Sequence, residues 1–129
     1  MKENQIKGLA CQVMDLSEQA MIVICKNDYS VVYANTKARA IFGEDVAGIT
    51  CYRMVEGEDT PCKACPFQMN EMNAEQIVER YLRSFDQTVQ IKVTPLVWED
   101  GEDTLVYTIL DSDELLLAKM NLEAKAQSY

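Results

Sequence analysis

The chain has 129 residues, of which 48% are hydrophobic and 26% are charged, and its net charge is −9. These values are typical of a single folded domain, and the negative charge disfavours binding to the phosphate backbone of nucleic acids. The sequence contains no histidine, which excludes histidine as a general base, a metal ligand or an axial haem ligand.

The sequence also indicates a compartment. No apolar run approaches the ~20 residues that span a bilayer, and the N-terminal residues lack the apolar core of a secretory signal. The five cysteines are an odd number, which argues for a reducing compartment rather than a disulfide framework. We therefore expect a cytoplasmic protein without membrane insertion.

The first predicted element is an amphipathic helix over residues 2–18. Its apolar residues recur at intervals of three and four residues, a narrow stripe that is typical of a helix with a partner helix. The stripe consists of Ile6, Leu9, Val13 and Leu16. A helix that lies over its own domain would show the same pattern, so both interpretations stay open.

A β-hairpin is predicted next. Residues 21–25 are a short apolar run rich in β-branched side chains, which is typical of a buried strand. Asn27 and Asp28 supply residues that favour a turn, and residues 30–34 form the returning strand.

A short helix over residues 36–42 follows the hairpin. Asn35 stands at the position of a helix N-cap, and Gly43 is a natural stop at the C-terminal end. Residues 44–66 are predicted to be loop and short helical turns, and residues 67–73 one or two further helical turns.

The second half of the chain is β in character. Strands are predicted over residues 76–84, 88–98 and 104–110, with an acidic, solvent-exposed turn at 99–103. Pro95 interrupts the middle run and predicts an edge position or a bulge. The clearest alternation of apolar residues is that of Val89, Ile91 and Val93.

The last predicted element is a C-terminal helix. Asp111 stands at its N-cap with Glu114 three residues later, the arrangement of a capping box. An apolar stripe with intervals of three and four residues runs through Leu117, Met120 and Ala124.

This order of elements, with three short stretches, resembles a PAS domain over about residues 17–113. The stretches are Ile-Val-Ile-Cys-Lys-Asn-Asp-Tyr-Ser-Val-Val-Tyr-Ala-Asn at 22–35, Ala-Ile-Phe-Gly at 40–43 and Thr-Ile-Leu-Asp at 108–111. The usual ending of aspartate, aliphatic residue and threonine departs here to Asp111-Ser112-Asp113. That departure leaves open how the last strand contacts the following helix.

The resemblance implies an α+β fold, in which a PAS-like five-stranded antiparallel sheet carries short helices on one face and is flanked by N- and C-terminal helices. We expect an N-terminal helix over 1–17, the PAS-like domain over 18–111 and a signalling helix over 112–129. Such domains are sensory and dimerisation modules, usually upstream of a histidine kinase of a two-component system or a diguanylate cyclase. We therefore expect a homodimer, paired through its terminal helices, that passes a ligand or redox signal to such an output domain and is not an enzyme.

Three cysteines lie close together in the sequence. Cys51, Cys62 and Cys65 fall within fifteen residues, the last two as a Cys-x-x-Cys pair flanked by Pro61 and Pro66. Their thiolates have a spacing suited to zinc or an iron–sulfur cluster. A dithiol–disulfide switch and simple burial are the alternatives. The loop also resembles that of a PAS variant found in bacterial and archaeal sensors, a likeness that does not reveal what it binds.

A ligand pocket is the second candidate site. In the fold that the resemblance implies, the cavity lies between the sheet and the short helices, unless the same side chains fill it. Its candidate lining residues are Phe42, Ile49, Tyr52, Met54, Phe67 and Met69. Flavin is disfavoured because no stretch is similar to the Asn-Cys-Arg-Phe-Leu-Gln of light–oxygen–voltage domains, and haem is disfavoured by the absence of histidine.

Two other functions are compatible with the sequence. A small thiol–disulfide oxidoreductase would use Cys62 and Cys65, although this pair neither follows a first strand nor opens a long helix of a βαβ unit. A ligand-free oligomerisation domain would have a fully packed core.

Overall fold

The computed structural model describes residues 10–44, 46, 48–50, 53, 75–82 and 85–127, of which 125–127 are described by their backbone alone. In chain order its elements are β1 (Ala20–Cys25), β2 (Val31–Ala34), α1 (Thr36–Phe42), β3 (Gln76–Leu82), β4 (Gln87–Val97), β5 (Asp103–Ile109) and α2 (Ser112–Gln127). Residues 10–19, which precede β1 and are helical from 10 to 15, are called the N-terminal segment. Among all these residues no helix is both long and apolar enough to cross a bilayer.

The five strands form one antiparallel sheet in the order β2-β1-β5-β4-β3. Strands that are consecutive in the sequence pair as hairpins: β1 with β2, β3 with β4, and β4 with β5. The two halves of the sheet meet where β1 pairs with β5, from Ala20 opposite Ile109 to Cys25 opposite Thr104. This fold confirms the predicted five-stranded antiparallel α+β architecture.

One face of the sheet carries the main hydrophobic core. Helix α1 packs on this face through Ala38 and Ile41, and α2 packs on it through Leu115. Because side chains alternate along a strand, every second residue of β1, of β5 and of the first part of β4 points into this core, whereas β2 and β3 contribute fewer residues. The buried strand residues are Ala20, Ile22, Ile24, Val31, Ala34, Leu82, Val89, Ile91, Val93, Leu105, Tyr107 and Ile109.

The opposite face of the sheet carries a smaller apolar cluster. Met14 of the N-terminal segment is buried there with Val23 and Val106, and Tyr33 and Trp98 pack at the margin. The N-terminal segment thus covers part of this face, above the strands β1 and β5.

The strand predictions for the second half are confirmed. Val89, Ile91 and Val93 are buried, as their alternation predicted. Pro95 lies within an inner strand, but the pairing of β4 with β3 ends at Val93. At Pro95, β4 pairs with β5 opposite Leu105. No described residue of β3 lies opposite Pro95, so the missing N–H of the proline leaves no carbonyl of described β3 without its hydrogen bond.

The helix predicted over residues 2–18 ends earlier than expected. Its described part is helical to residue 15. The amides of Leu16 and Ser17 donate to the carbonyls of Val13 and Met14, three residues back, at 3.2 and 3.1 Å. Bonds of this kind tighten and close the last turn of a helix, so the segment turns toward β1 instead of continuing.

Candidate functional site at the junctions of the terminal helices

The predicted ligand pocket is described at two of its six positions. Phe42 and Ile49 are half-buried and pack against the main core, while Tyr52, Met54, Phe67 and Met69 lie outside the described residues. The ring of Phe42 meets that of Phe85 edge to face, with centroids 5.8 Å apart and planes at 85°. Phe85 follows β3 in the turn to β4 and was not among the predicted pocket residues.

The cysteine loop is not described at Cys51, Cys62 or Cys65, so the metal and redox hypotheses stay predictions. Cys11 and Cys25 are described, both as free, half-buried thiols. Burial, together with the charges of Glu99 and Asp15, raises the pKa of the Cys11 thiol. Among the described residues, no group of three or more cysteine, aspartate or glutamate side chains is arranged to hold a metal ion.

Hydrogen bonds between distant residues are concentrated at two junctions with the sheet: the N-terminal junction, where the N-terminal segment meets β2 and α1, and the C-terminal junction, where α2 begins. Asp15, at the end of the N-terminal helical turns, accepts hydrogen bonds from the hydroxyl of Tyr33 to both its carboxylate oxygens, at 2.7 and 2.8 Å. Its Oδ1 also accepts from the amide of Thr36 at 2.9 Å. One carboxylate thus joins the N-terminal segment to β2 and to the first residue of α1.

Arg39 supports the same junction from α1. Its guanidinium donates to the carbonyl of Ala34 at 2.8 Å and to the hydroxyl of Tyr33 at 3.4 Å. The guanidinium carbon also lies 5.9 Å from the centroid of the Tyr33 ring, within the range of a cation–π contact. Burial raises the pKa of Tyr33, the hydrogen bond from Arg39 opposes this, and the neighbouring Asp15 raises it further.

Asn35 is the centre of this region. The residue has 0% exposure, and its Oδ1 accepts from the amides of Met21 and Ala38 at 2.9 and 3.0 Å. Its Nδ2 donates to the carbonyls of Met14 and Gln19 at 2.7 and 3.0 Å. The bond to Ala38 confirms the predicted N-cap of α1. The other three bonds reach the N-terminal segment and β1, so all donors and acceptors of the amide are used.

The C-terminal helix is joined to the sheet through its first residue. The hydroxyl of Ser112 accepts from the amide of Ala20 at 2.7 Å and donates to the carbonyl of Ile109. Ser112 is buried. The contact between the last strand and the following helix, left open by the departure to serine, is therefore present in this chain.

Asp111 fixes the same helix to β4. Its carbonyl accepts from the amide of Leu115 at 3.0 Å, so it stands at the N-cap of α2, as predicted. Its carboxylate, however, accepts from the amide of Gln90 at 2.9 Å. The predicted capping box with Glu114 is therefore wrong in this respect: the side chain connects the helix start to a neighbouring strand.

Helix α2 then runs beside α1. Lys37 forms an ion pair with Asp113 at 2.8 Å, and the ammonium of Lys119 donates to the carbonyl of Ala40 at 2.8 Å. Leu115 is buried in the core and Leu116 packs against it. Further along, the side chains on every side of the helix are exposed, namely Met120, Asn121, Leu122, Glu123 and Ala124.

An open cleft lies between the two junctions. It has a volume of about 330 Å³ and is lined by Glu18, Gln19 and the residues from Leu110 to Glu114. The cleft separates the end of the N-terminal segment from the first turn of α2, so the two terminal helices reach the sheet at neighbouring places.

Comparison with known proteins defines the fold further. No protein-family model matches the chain, and no curated protein matches it significantly. Among solved structures, the PAS domain of nitrogen regulation protein NR(II) from Vibrio parahaemolyticus matches with a TM-score of 0.56 at 13% identity, over 78% of this chain and 95% of its own.

Two further PAS domains match over most of both chains. One, from a two-component sensor histidine kinase, has a TM-score of 0.57 at 10% identity and covers 84% of this chain and 97% of its own. The other, from Bordetella pertussis BvgS, has a TM-score of 0.53 at 15% identity and covers 99% and 98%. The chain is thus an α+β domain with a single antiparallel sheet. Its fold is the PAS fold, as its sequence landmarks predicted.

The sequence contained few signals for the junction residues. Asn35 was found because an N-cap is recognised from its immediate neighbours. Asp15, Tyr33 and Ser112 were not singled out as site residues, because their partners lie 18 to 92 positions away in the sequence. The departure to Asp-Ser-Asp at 111–113 indicated where α2 is attached to the sheet, but it did not predict the hydrogen bonds of Asp111 and Ser112.

Proposed function

We propose that this chain is a sensory PAS module that acts as a homodimer and passes a ligand or redox signal to an output domain, such as a histidine kinase or a diguanylate cyclase. The observation that carries the proposal is that both terminal helices are hydrogen-bonded to the sheet while presenting apolar side chains to solvent. A conformational change in the sheet would therefore be transmitted through these hydrogen bonds to the terminal helices, whose exposed apolar side chains can bind a partner.

The exposed side chains belong to the two stripes that the sequence predicted. Val13 and Leu16 of the N-terminal segment are 62% and 83% exposed, and Leu117 and Met120 of α2 are 58% and 56% exposed. A helix that stands clear of its domain is only marginally stable in water, so burial against a second copy would stabilise the end of α2. The apolar residues of α2 nevertheless lie on more than one side, because Leu115 and Leu116 pack on its own domain.

The named neighbours support this role by analogy. One of the matching structures is a PAS domain from a two-component sensor histidine kinase. The fold alone is shared by those proteins and this chain, so the signalling role is inferred here from the fold together with the arrangement of the terminal helices.

Sedimentation velocity of the full chain tests dimerisation. We expect association to increase between ~1 and ~100 μM, the range of a weak to moderate complex. The double substitution Leu117→Asn/Met120→Asn should reduce association by removing the apolar side chains. Ile77→Asn is the matched control, because Ile77 is 61% exposed but lies on β3. Monomer at every concentration, or equal weakening by the control, would contradict the proposal.

The cysteine loop is proposed as the part that receives the signal. Three thiols so close in sequence suit a metal, an iron–sulfur cluster or a reversible disulfide. Elemental analysis and an absorption spectrum of protein purified without oxygen would reveal zinc or iron, and Cys62→Ser/Cys65→Ser should abolish any such content. With neither metal nor an oxidisable thiol pair, the loop would have no role of this kind.

The proposal also holds that the chain is not an enzyme. Without histidine, the sequence lacks the side chain that most often serves as a general base near neutral pH. An insulin-reduction assay addresses the rival activity of a thiol–disulfide oxidoreductase at Cys62 and Cys65. Turnover that disappears in Cys62→Ser would overturn this part of the proposal.

A further inference from the structure

The backbone amides of the first two residues of β1 take part in attaching the two terminal segments, the N-terminal segment and α2, to the sheet. Successive amides of a strand point to opposite neighbours, and β1 lies between β2 and β5. The amide of Met21 points toward β2 and donates to Oδ1 of Asn35 at 2.9 Å. The amide of Ala20 points toward β5 and donates to the hydroxyl of Ser112 at 2.7 Å. The two bonds start at adjacent residues.

On the β2 side, the bond continues to the N-terminal segment. The planar amide of Asn35 accepts from Met21 and donates to the carbonyls of Met14 and Gln19. A second bond, from the backbone amide of Asn35 to the carbonyl of Met21 at 3.0 Å, holds the two residues together. A displacement of the segment would therefore have to move this amide or break its bonds.

On the β5 side, the bond continues to α2. Ser112 is the first residue of this helix, and its hydroxyl bonds to both β1 and the last residue of β5. Ala20 and Ser112 are buried, so undocking of α2 would leave the amide of Ala20 without a partner. An unpaired buried donor is costly, which favours keeping the helix docked while the start of β1 is held in place.

We propose that the docking of the N-terminal segment and the docking of α2 are thermodynamically coupled through the adjacent amides of Ala20 and Met21. Release of the N-terminal segment removes the two bonds that fix the Asn35 amide against Met21, and release of α2 removes the bond to Ala20. Either release loosens the start of β1 and thereby weakens the attachment of the other segment. The coupling lies within one chain, so it requires neither dimerisation nor an output domain and stands apart from the proposed function.

Asn35→Asp tests the coupling from the N-terminal side. Aspartate keeps the Oδ1 acceptor, so it can still accept from Met21 and Ala38 and cap α1, and it places a second oxygen where asparagine has Nδ2. It loses the Nδ2 donor, and with it the bonds to Met14 and Gln19. Hydrogen exchange of the full chain should then become faster in the N-terminal segment. It should also become faster in the first two turns of α2, by at least about twofold relative to the β3–β4 hairpin.

Ser112→Ala tests the coupling in the other direction. Removal of the hydroxyl should accelerate exchange in the first turns of α2, and also in residues 10–19, again relative to the β3–β4 hairpin. Ser112→Thr keeps the hydroxyl and should restore slow exchange in both places. If Asn35→Asp does not fold, this pair of variants decides the question alone.

Asp15→Ala is a second test from the N-terminal side. It loosens the N-terminal segment by removing the bonds to Tyr33 and Thr36 and leaves the amide of Asn35 unchanged, so the coupling predicts faster exchange in α2 in proportion to the loosening of residues 10–19.

Ser30→Ala is the matched control, because its hydroxyl bonds to Asp28 in an exposed turn and takes no part in either attachment. Two results would overturn the proposal: acceleration confined to the substituted side in both directions, or equal acceleration of α2 by Ser30→Ala.

Discussion

The amide of Ala20 donates a hydrogen bond to the hydroxyl of Ser112, 92 positions later in the chain, across a distance of 2.7 Å. Both residues are buried. The bond joins the start of β1 to the start of α2. The C-terminal helix follows β5 in the chain and is thus also attached to β1, the strand that lies beside β5 in the sheet. This arrangement makes the serine hydroxyl the simplest place to perturb the attachment.

Ser112→Ala is expected to lower the free energy of unfolding by about 1–3 kcal/mol, because it leaves the buried amide of Ala20 unpaired. Ser112→Thr keeps the hydroxyl and should lose much less. Urea denaturation followed by circular dichroism measures both. Ser30→Ala is a suitable control, since its hydroxyl bonds to Asp28 in an exposed turn. A loss for Ser112→Ala no larger than for the control would show that the bond is not important for stability.

The fold was largely predictable because its strands follow local rules. Alternation placed Val89, Ile91 and Val93 on one side of β4, and turn residues placed the hairpin between β1 and β2. The order of the strands was not contained in such rules. Pairing of β1 with β5 joins residues 79 to 89 positions apart, from Cys25 opposite Thr104 to Ala20 opposite Ile109. The likeness to PAS domains implied a five-stranded antiparallel sheet, but this pairing was not predicted.

The candidate site was predictable only where a local rule applied. The cap formed by Asn35 follows from its neighbours, but its bonds to Met14 and Gln19 depend on where the N-terminal segment turns. Likewise, the sequence identified Phe42 but not its contact with Phe85. Aromatic contacts between distant segments depend on the packing of both, which a single periodic pattern does not specify.

Two leucines of α2, Leu115 and Leu117, should differ strongly in how much their substitution lowers stability. Leu115 is fully buried in the core, whereas Leu117 is more than half exposed. Leu115→Ala should destabilise the protein by about 2–5 kcal/mol, and Leu117→Ala should change stability by less than about 0.5 kcal/mol. Urea midpoints at a concentration where the chain is monomeric compare the two. A similar loss for both would mean that α2 does not pack as described.

The difference in stability between the wild-type chain and Tyr33→Phe should shrink as the pH rises above about 10, the usual pKa of tyrosine. At neutral pH the variant loses the hydrogen bond to the carboxylate of Asp15, worth about 1.5–3 kcal/mol because the acceptor is charged. Burial raises the pKa of Tyr33 in the folded protein. The unfolded phenol therefore ionises first, and the wild type loses stability between the unfolded and the folded pKa.

This comparison is best made in a Cys11→Ser background, because burial also raises the pKa of the Cys11 thiol. Urea midpoints at several pH values between neutrality and about pH 11 give the two stability curves. A constant gap between the curves across this range would contradict a raised pKa of Tyr33 in the folded chain.

The edge-to-face contact of Phe42 with Phe85 should appear as a favourable coupling in a double-mutant cycle. Each single substitution to leucine keeps an apolar side chain but removes the ring geometry. The cycle formed by Phe42→Leu, Phe85→Leu and the double variant should give a coupling of about 0.5–1.5 kcal/mol. Phe42→Leu paired with Val106→Ala is the control, because Val106 belongs to the apolar cluster on the opposite face of the sheet. If urea denaturation shows strictly additive effects for the two phenylalanines, the rings do not interact. Phe42 would then contribute to the candidate pocket wall independently of the turn between β3 and β4.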